Sequence, residues 1–302
     1  MTPQRALLSG NRQHFAHGPI DLVIGAEGEA RAVAAAHEAA WRRFTMVLDE
    51  LVAELPALRR PVRGSCPLQG RIARRMWRSC SPFRDRYITP MAAVAGAVAQ
   101  ELIAAYEREG IARAWVNNGG DIALHLASGR SVRIGLLADL ERTGELLQRG
   151  APALDAHFTV TSDLPVRGIA TSGWRGRSFS LGIADSVTVL ARTASEADAA
   201  ATMVANAVDV DDARIVRRPA CELKDDSDLG GIAVTVDVPV LDRETAQRAL
   251  GAGLALARQL QSSGLIWSCV LACQGWVAST DGTAAAALST AERPPAAAAL
   301  AF

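Results

Sequence analysis

Residues 186–208 read SVTVLARTASEADAAATMVANAV. The first six, residues 186–191, alternate as a strand does, because every second side chain of a strand faces the same side. Alanine and other helix-compatible residues follow, which predicts a helix over residues 196–208 with Ser195 as its N-cap. The first structural unit that the sequence predicts is therefore a strand leading directly into a helix.

Two oxygen-bearing side chains share one face of this helix. Asp198 and Thr202 are four residues apart, so they lie one turn apart, with alanines between them. Carboxylate and hydroxyl oxygens suit Mg²⁺, with phosphate and water completing its octahedron. The same residues also allow a structural interpretation, in which the helix dipole favours an aspartate near the N-terminus and the threonine simply packs.

Two glycine-containing segments precede this unit. Residues 117–121, NNGGD, stand between strands predicted at 112–117 and 122–127, and predict a hairpin whose glycines allow close approach to a ligand. Residues 168–173, GIATSG, predict a polar loop whose N–H and O–H groups suit an oxygen-rich ligand. Each segment alone is typical only of a hairpin or of a polar loop.

The remaining periodicity shows no regular β–α–β alternation. This favours an α+β fold with a mainly antiparallel sheet. We expect one domain over residues 1–280 and a mobile tail rich in alanine and proline over 281–302. Further strands are predicted at 19–25, 131–136, 157–161, 232–238 and 265–273, and helices at 32–55, 91–109, 140–147 and 243–262.

The chain has 302 residues, with 32 basic and 32 acidic side chains and a formal net charge of zero. This balance argues against a globally basic nucleic-acid-binding protein. The longest apolar stretch, residues 90–105, is interrupted by Gly96, Gln100 and Glu101, so no membrane span is expected. Scattered cysteines without a CxxC pair, and an N-terminus without an apolar leader, predict a cytoplasmic protein with reduced thiols.

Residues 56–86 carry many arginines and few acids, with aromatic residues interleaved. Guanidinium groups make forked hydrogen bonds to phosphate, so this arginine-rich segment is a candidate phosphate-binding surface. The alternative is a solvated surface whose arginines pair with acids elsewhere in the chain. The residues alone leave both interpretations open.

In this order and spacing, NNGGDIALHL (117–126), GIATSG and residues 186–208 resemble the ApbE family of FAD:protein FMN transferases. That family shows an N-x-G-G-D hairpin, an A-T-S-G loop, and an S-V-T-V strand running into an A-D-A-x-A-T helix. The resemblance is closest to an uncharacterised ApbE-related group and covers about residues 12–278. Three further matching stretches are HGPIDL (17–22), ITPMAAVAGAVA (88–99) and DSDLGG (226–231).

The resemblance implies a T-fold-like α+β fold built from duplicated β-β-α-α units. It also implies that FAD binds in a cleft between the halves, with Mg²⁺ at the pyrophosphate. The positions that match the family's metal ligands are Asp198, Thr202 and Ala92, the last through its backbone carbonyl. The positions that match the segments lining the flavin are Ala93, Asn118, Gly119, Gly120, Asp121, Thr171, Ser172 and Gly173.

The sequence departs from the transferase pattern at the acid/base end of this site. The lysine of the family's lysine-glycine pair is absent at Ala95-Gly96, and Gln100 stands where the family has an aspartate. The family's H-x-x-D-P-x-T-G segment is replaced by GRSFSLGIAD (176–185), and Arg177 stands where the related group often has histidine. The candidate catalytic residues are therefore Asp185, Arg177 and Ser178.

Three functions follow as hypotheses. The leading one is a flavin-nucleotide-binding protein that uses Mg²⁺ and either transfers FMN to a protein acceptor or hydrolyses the FAD pyrophosphate. The second is a repurposed nucleotide- or pterin-cofactor-binding protein without flavin transfer. The third is a nucleic-acid or protein interaction module built on the arginine-rich segment, which the zero net charge disfavours. An oligomer is compatible with each.

Overall fold

A computed structural model of the chain describes residues 2–136 and 156–281. Nine of its strands form one sheet in which every neighbouring pair is antiparallel. The strands are β1 (Gln4–Leu8), β2 (Arg12–His17), β3 (Ile20–Gly28), β4 (Ile111–Asn118), β5 (Asp121–Leu126), β6 (Ser131–Leu136), β7 (Ala156–Thr161), β8 (Gly168–Ser172), β9 (Ser186–Ala191), β10 (Val216–Pro219), β11 (Ala233–Asp237), β12 (Ser268–Cys273) and β13 (Trp276–Ser279). The large sheet has the order β1-β2-β3-β4-β5-β8-β9-β12-β13, and β6–β7 and β10–β11 form separate pairs.

Along the chain, the helices lie in the segments that connect the strand pairs. They are α1 (Ala30–Ala53), α2 (Leu55–Leu58), α3 (Arg71–Cys80), α4 (Val94–Ile103), α5 (Ala194–Ala207), α6 (Ala220–Leu223) and α7 (Arg243–Ser262). A 3-10 turn, Pro90–Ala93, leads into α4, and its N-cap Thr89 accepts the backbone N–H of Met91. None of the helices within the described residues is both long and apolar enough to cross a membrane.

The large sheet consists of two similar halves. Each half runs two strands, a helical segment and two further strands: β2–β3 to β4–β5 in the first, and β8–β9 to β12–β13 in the second. The halves meet at β5 and β8, where Ile122 pairs with Ile169 and Ala123 with Gly168. The prediction of an α+β fold with a mainly antiparallel sheet is confirmed.

Both faces of the sheet are covered by apolar side chains. On one face, Phe15, Leu22, Val116 and Val189 belong to a core shared with the helices. On the other, a smaller cluster joins strands of the large sheet to the β6–β7 pair; it comprises Leu124, Leu126, Ile134, Val160, Val166, Ile169 and Leu190. Burial on both faces makes the junction between the halves an interior position from which side chains can be held rigidly.

The strands at 131–136 and 186–191 and the helix at 243–262 are observed at their predicted bounds. Two local predictions are wrong. Thr193, not Ser195, caps α5 by accepting the backbone N–H of Glu196, because the helix begins two residues earlier than predicted. GIATS is a strand rather than a polar loop, because Ile169 and Ala170 are buried in the sheet.

Three further differences concern the ends of elements and the limits of the structure. The helix predicted at 91–109 is divided into the 3-10 turn, α4 and a second 3-10 turn, Ala104–Tyr106. The edge strand β1 and its neighbour β2 were not predicted. The helix predicted at 140–147 and residues 282–302 of the tail lie outside the described residues.

Candidate functional site

The candidate site lies where α4 crosses α5, beside the junction of the two halves. Gly96 forms the crossing point, since a Cβ atom there would stand 2.3 Å from the backbone O of Ala194 and 2.9 Å from the Cβ of Asp198. Both distances are shorter than van der Waals contact, so glycine allows the helices to approach this closely. The crossing brings the start of α4 against the first turns of α5.

Asp198 lies at this crossing and is partly buried. Its Oδ2 accepts the backbone N–H of Gly96 at 2.9 Å. Burial raises the pKa of Asp198 well above its ordinary value and the charge of Asp121 raises it further, while the N–H groups of Gly96 and Ala95 oppose the shift. A desolvated carboxylate beside a second one is a place where a cation is stabilising.

Asp121 connects the NNGGD hairpin to β8. It is 8% exposed, and its Oδ1 accepts the backbone N–H of Thr171 at 3.2 Å. Burial raises the pKa of Asp121 to about 7, while the Thr171 N–H and the positive charge of Arg177 act in the opposite direction. Asp121 joins the hairpin to β8, and Asn118 of the hairpin and Asp198 of α5 bind the adjacent residues Ala95 and Gly96, so these three segments, which are far apart in sequence, meet at the start of α4.

The turn of the hairpin is tied to α4 and covered by an arginine. The Nδ2 of buried Asn118 donates to the backbone O of Ala95 at 3.1 Å. Gly119 and Gly120 have φ of +65° and +114°, conformations that side chains other than glycine rarely adopt. A Cβ at Gly119 would stand 2.4 Å from the Nη2 of Arg177, so the guanidinium lies directly on the turn.

The oxygen atoms around Asp198 are of the kind that coordinates Mg²⁺, and a bound phosphate ligand would complete the coordination shell. Thr202 follows one turn later on the same helix and is partly exposed, and the Pro90–Ala93 turn that contains Ala92 packs against α5. Within the described residues, no group of three or more His, Cys, Asp or Glu side chains forms a closed metal site. Two desolvated carboxylates with hydroxyl and carbonyl oxygens nearby match the oxygen chemistry of Mg²⁺, which usually keeps waters and binds phosphates.

Ala93 and the remaining GIATSG residues occupy different surroundings. Ala93 is fully buried, whereas Ser172 is partly exposed. The Thr171 hydroxyl lies 2.9 Å from that of Thr188. A Cβ at Gly173 would stand 2.3 Å from the backbone O of Asp185, so this glycine lets the chain leave β8 close to the start of β9.

The three candidate catalytic residues, all within the described ranges, make separate contacts and do not hydrogen-bond to one another. Both carboxylate oxygens of Asp185 are engaged: Oδ1 accepts Nε1–H of Trp174 at 3.3 Å, and Oδ2 accepts the backbone N–H of Gln274. Arg177 lies on the hairpin turn, and Ser178 is exposed. These contacts give Asp185 a structural role in joining two loops, and its catalytic role remains a prediction.

Several arginines of residues 56–86 have acidic partners. Arg75 and Arg43 bind the buried Glu101 at 2.8 and 2.9 Å, and Arg59 pairs with Asp226 at 2.6 Å. A cleft of about 380 Å³ lies between α3 and the start of α5; its polar lining includes Arg75, Arg78, Ser79, Gln100, Thr193 and Ser195. The alternative of paired arginines therefore holds for part of the segment, and two of its arginines reach a cleft beside α5.

The sequence analysis missed the residues that hold the Pro90–Ala93 turn. The Thr89 hydroxyl donates to Oδ2 of Asp228, and the Tyr87 hydroxyl donates to the backbone O of Asp228 at 2.5 Å. The DSDLGG segment was recognised only as a matching stretch. No periodicity relates two residues 139 positions apart, so their contact needed the three-dimensional structure.

The fold and the site together define a class: an α+β protein of two similar halves with paired carboxylates at their junction. The family model described as AbpE bacteria matches residues 4–279, and the chain belongs to that family. A UPF0280 protein of Methanopyrus kandleri is 36% identical over 213 residues, which cover 68% of this chain and 78% of that protein. The predicted relation to an uncharacterised ApbE-related group is confirmed.

Other matches are shorter or more distant. A UPF0280 protein of Methanospirillum hungatei is 38% identical over 146 residues, and the match spans 48% of this chain and 53% of that relative. The crystal structure of Pseudomonas stutzeri flavinyl transferase ApbE, apo form, has 12% sequence identity and a TM-score of 0.42, covering 94% of this chain and 96% of that one. The match to this chain thus spans about half the length of the Methanospirillum hungatei protein.

Proposed function

We propose that the junction of the two halves binds FAD together with Mg²⁺, with the cation at the pyrophosphate. The observation that carries this proposal is the convergence of the hairpin, β8 and α5: Asp121 binds the Thr171 N–H, while Asn118 and Asp198 bind Ala95 and Gly96 of α4. These are the segments whose order resembles the ApbE family. A cation would stabilise the charged forms of the desolvated carboxylates of Asp121 and Asp198. The surrounding N–H and hydroxyl groups suit an oxygen-rich ligand.

Asp198, Thr202 and the carbonyl of Ala92 would hold the cation in this proposal. Mg²⁺ supplies neutralisation of charge on the pyrophosphate when it is bound. In this proposal the turn of Gly119 and Gly120 would lie against the flavin, and the hydrogen bond from Asn118 Nδ2 to the backbone O of Ala95 holds that turn on α4. A guanidinium carries five N–H donors and no acceptor, so Arg177 can hold a phosphate oxygen but does not suit the role of a general base.

A second candidate is cofactor binding without flavin transfer, with a flavin, another nucleotide or a pterin as the ligand. The engagement of both Asp185 oxygens favours it, since the nearest replacement for the family's acid/base segment is occupied by structural hydrogen bonds. A positioned acid or base typically contributes a factor of about 10²–10⁴ in rate. We therefore expect slow Mg²⁺-dependent FAD hydrolysis at most, and no FMN transfer to an acceptor protein.

Two broader properties complete the proposal. We propose a single domain over residues 1–280, followed by a tail. We also propose that the protein works in a reducing cytoplasm, where scattered cysteines without a CxxC pair stay as thiols. The arginine-rich segment is not proposed as a nucleic-acid site, because part of it is neutralised by Glu101 and Asp226.

The test compares FAD binding by fluorescence titration in Mg²⁺ and in EDTA, for the unchanged chain and for Asp198→Asn. We expect Mg²⁺ to tighten FAD binding at least tenfold, equivalent to about 1.4 kcal/mol, and Asp198→Asn to abolish that difference. The matched control is Asp49→Asn, since Asp49 is an exposed helical aspartate on α1. Equal binding with Mg²⁺ and with EDTA in the unchanged chain would refute the metal-assisted site.

Catalysis is tested separately by incubating the chain with FAD, Mg²⁺ and an ApbE-type acceptor domain. Mass spectrometry should find no FMN adduct on the acceptor, and chromatography should find at most slow release of AMP. Robust formation of the adduct would overturn the binding-only candidate and establish the transferase.

A further inference from the structure

The DSDLGG segment (226–231) lies against the chain that leads into α4. Asp228 makes two contacts there: its Oδ2 accepts the Thr89 hydroxyl, and its backbone O accepts the Tyr87 hydroxyl at 2.5 Å. The neighbouring Asp226 pairs with Arg59 at 2.6 Å on an exposed surface. Two hydrogen bonds at Asp228 and a surface ion pair at Asp226 therefore hold this segment.

Thr89 transmits the position of Asp228 to the Pro90–Ala93 turn. Thr89 is 2% exposed, its Oγ1 accepts the backbone N–H of Met91 at 3.2 Å, and its backbone O accepts that of Ala92 at 3.1 Å. A threonine hydroxyl has a single proton. Because the hydroxyl donates this proton in its hydrogen bond to Asp228, its oxygen is oriented to accept the N–H of Met91. The two hydrogen bonds fix the first residues of the turn.

The same turn is packed on the side of Asp198. Cys80 is buried, and its Sγ lies 4.0 Å from the backbone O of Pro90. Burial raises the pKa of the Cys80 thiol, and the charges of Asp198 and Asp228 raise it further. The turn that Asp228 holds through Thr89 packs against α5, the helix that carries Asp198, and this contact connects Asp228 to the proposed cation site.

We infer that Asp228 is a positioning residue for the proposed cation site. Through the Thr89 hydroxyl it holds the turn that presents the Ala92 carbonyl, without itself contacting the ligand. This inference rests on the proposed function. It assigns a role to the DSDLGG segment, which comes from a distant part of the chain. Groups that orient metal ligands typically change metal affinity by 10–100-fold when they are removed.

The test measures Mn²⁺ affinity by electron paramagnetic resonance in the presence of FAD, with FAD affinity in EDTA and melting temperature as parallel measurements. We expect Asp228→Ala to weaken Mn²⁺ binding by at least tenfold while FAD affinity in EDTA stays unchanged. Asp228→Asn keeps an oxygen that can accept the Thr89 hydroxyl and should restore most of the affinity. Asp226→Ala, which removes the surface ion pairs with Arg59 and Lys224, is the control and should bind Mn²⁺ normally.

Thr89→Val and Thr89→Ser provide a second pair in case Asp228→Ala does not fold. Thr89→Val should reproduce the loss of Mn²⁺ affinity, and Thr89→Ser should retain the affinity. Wild-type Mn²⁺ affinity in Asp228→Ala or Thr89→Val overturns the inference and leaves the proposed function standing. A parallel fall in melting temperature and in FAD affinity in EDTA also overturns it, since the role is then structural. Absence of Mn²⁺ binding by the unchanged chain overturns both proposals.

Discussion

His37 and Tyr106 form a buried polar pair between α1 and the end of the α4 region. The Nδ1 of His37 lies 2.7 Å from the Tyr106 hydroxyl, and His37 is 4% exposed. In the described residues its Nε2 is buried without a hydrogen-bond partner. Burial lowers the pKa of His37, and the charge of Arg5 lowers it further. The folded chain therefore holds this histidine neutral where the unfolded chain begins to take up a proton.

This difference predicts a pH-dependent stability. Below about pH 6.5, His37 is protonated to a greater extent in the unfolded state than in the folded state. The free energy of unfolding therefore falls as the pH falls. The difference in unfolding free energy between the unchanged chain and His37→Gln should rise from pH 5 to 7 by no more than about 1.4 kcal/mol per pH unit and then level off. Urea titrations at several pH values measure it, and a difference independent of pH would contradict it.

At the scale of single residues, sequence analysis identified much of the candidate site. Asp121, Asn118 and Thr171 were selected by resemblance, and the structure brings them together beside Asp198. The roles assigned to them remain predictions. Asp228 could not be selected, because its partner Thr89 is distant in sequence and neither residue belongs to a periodic pattern.

At the scale of elements, the crossing of α4 and α5 depends on the absence of a side chain at Gly96. We expect Gly96→Ala to separate the two helices, because its Cβ would meet the fixed backbone O of Ala194 at 2.3 Å. Overpacking of this kind typically costs about 1–3 kcal/mol, and FAD binding should weaken together with stability. Thermal and urea unfolding, with FAD titration alongside, measure both effects.

Gly251→Ala is the matched control for this substitution. Gly251 also lies within a helix, α7, but a Cβ there would meet nothing within 4 Å. Alanine is the better helix former by about 0.5–1 kcal/mol, so this variant should be slightly more stable and should bind FAD normally. Similar destabilisation in both variants would show that the crossing of α4 and α5 is not specially constrained.

The accuracy of the predicted elements follows from how strongly each is patterned. α7 and β9 have long or fully regular patterns and were predicted at their observed bounds. β8 has only five residues and ends in the two polar residues Thr171 and Ser172, so its sequence resembles that of a loop. β1 is mostly exposed at the edge of the sheet, where hydrophobic alternation is weak. Polarity near a site and exposure at an edge both remove the signal from which strands are predicted.

At the scale of the whole molecule, the C-terminal residues allow a simple test of domain extent. Residues 282–302 are rich in alanine and proline without a periodic apolar face, so they have little to bury. We expect a chain ending at Asp281 to melt within about 2 °C of the full chain, since a change of 1 kcal/mol shifts a large domain by only about 2–4 °C. A fall of many degrees would show that the tail docks on the rest of the chain.

The junction between β5 and β8 has two registered residue pairs, whereas β4 and β5 share six. Asp121 belongs to the first half, and Thr171 and Asp198 belong to the second. A ligand held by these residues would bridge two halves that share little backbone pairing. Part of its free energy of binding would then stabilise the contact between the halves. Because the halves already share one apolar core, occupancy would strengthen an existing coupling and would be detected far from the site as a higher resistance of both halves to unfolding.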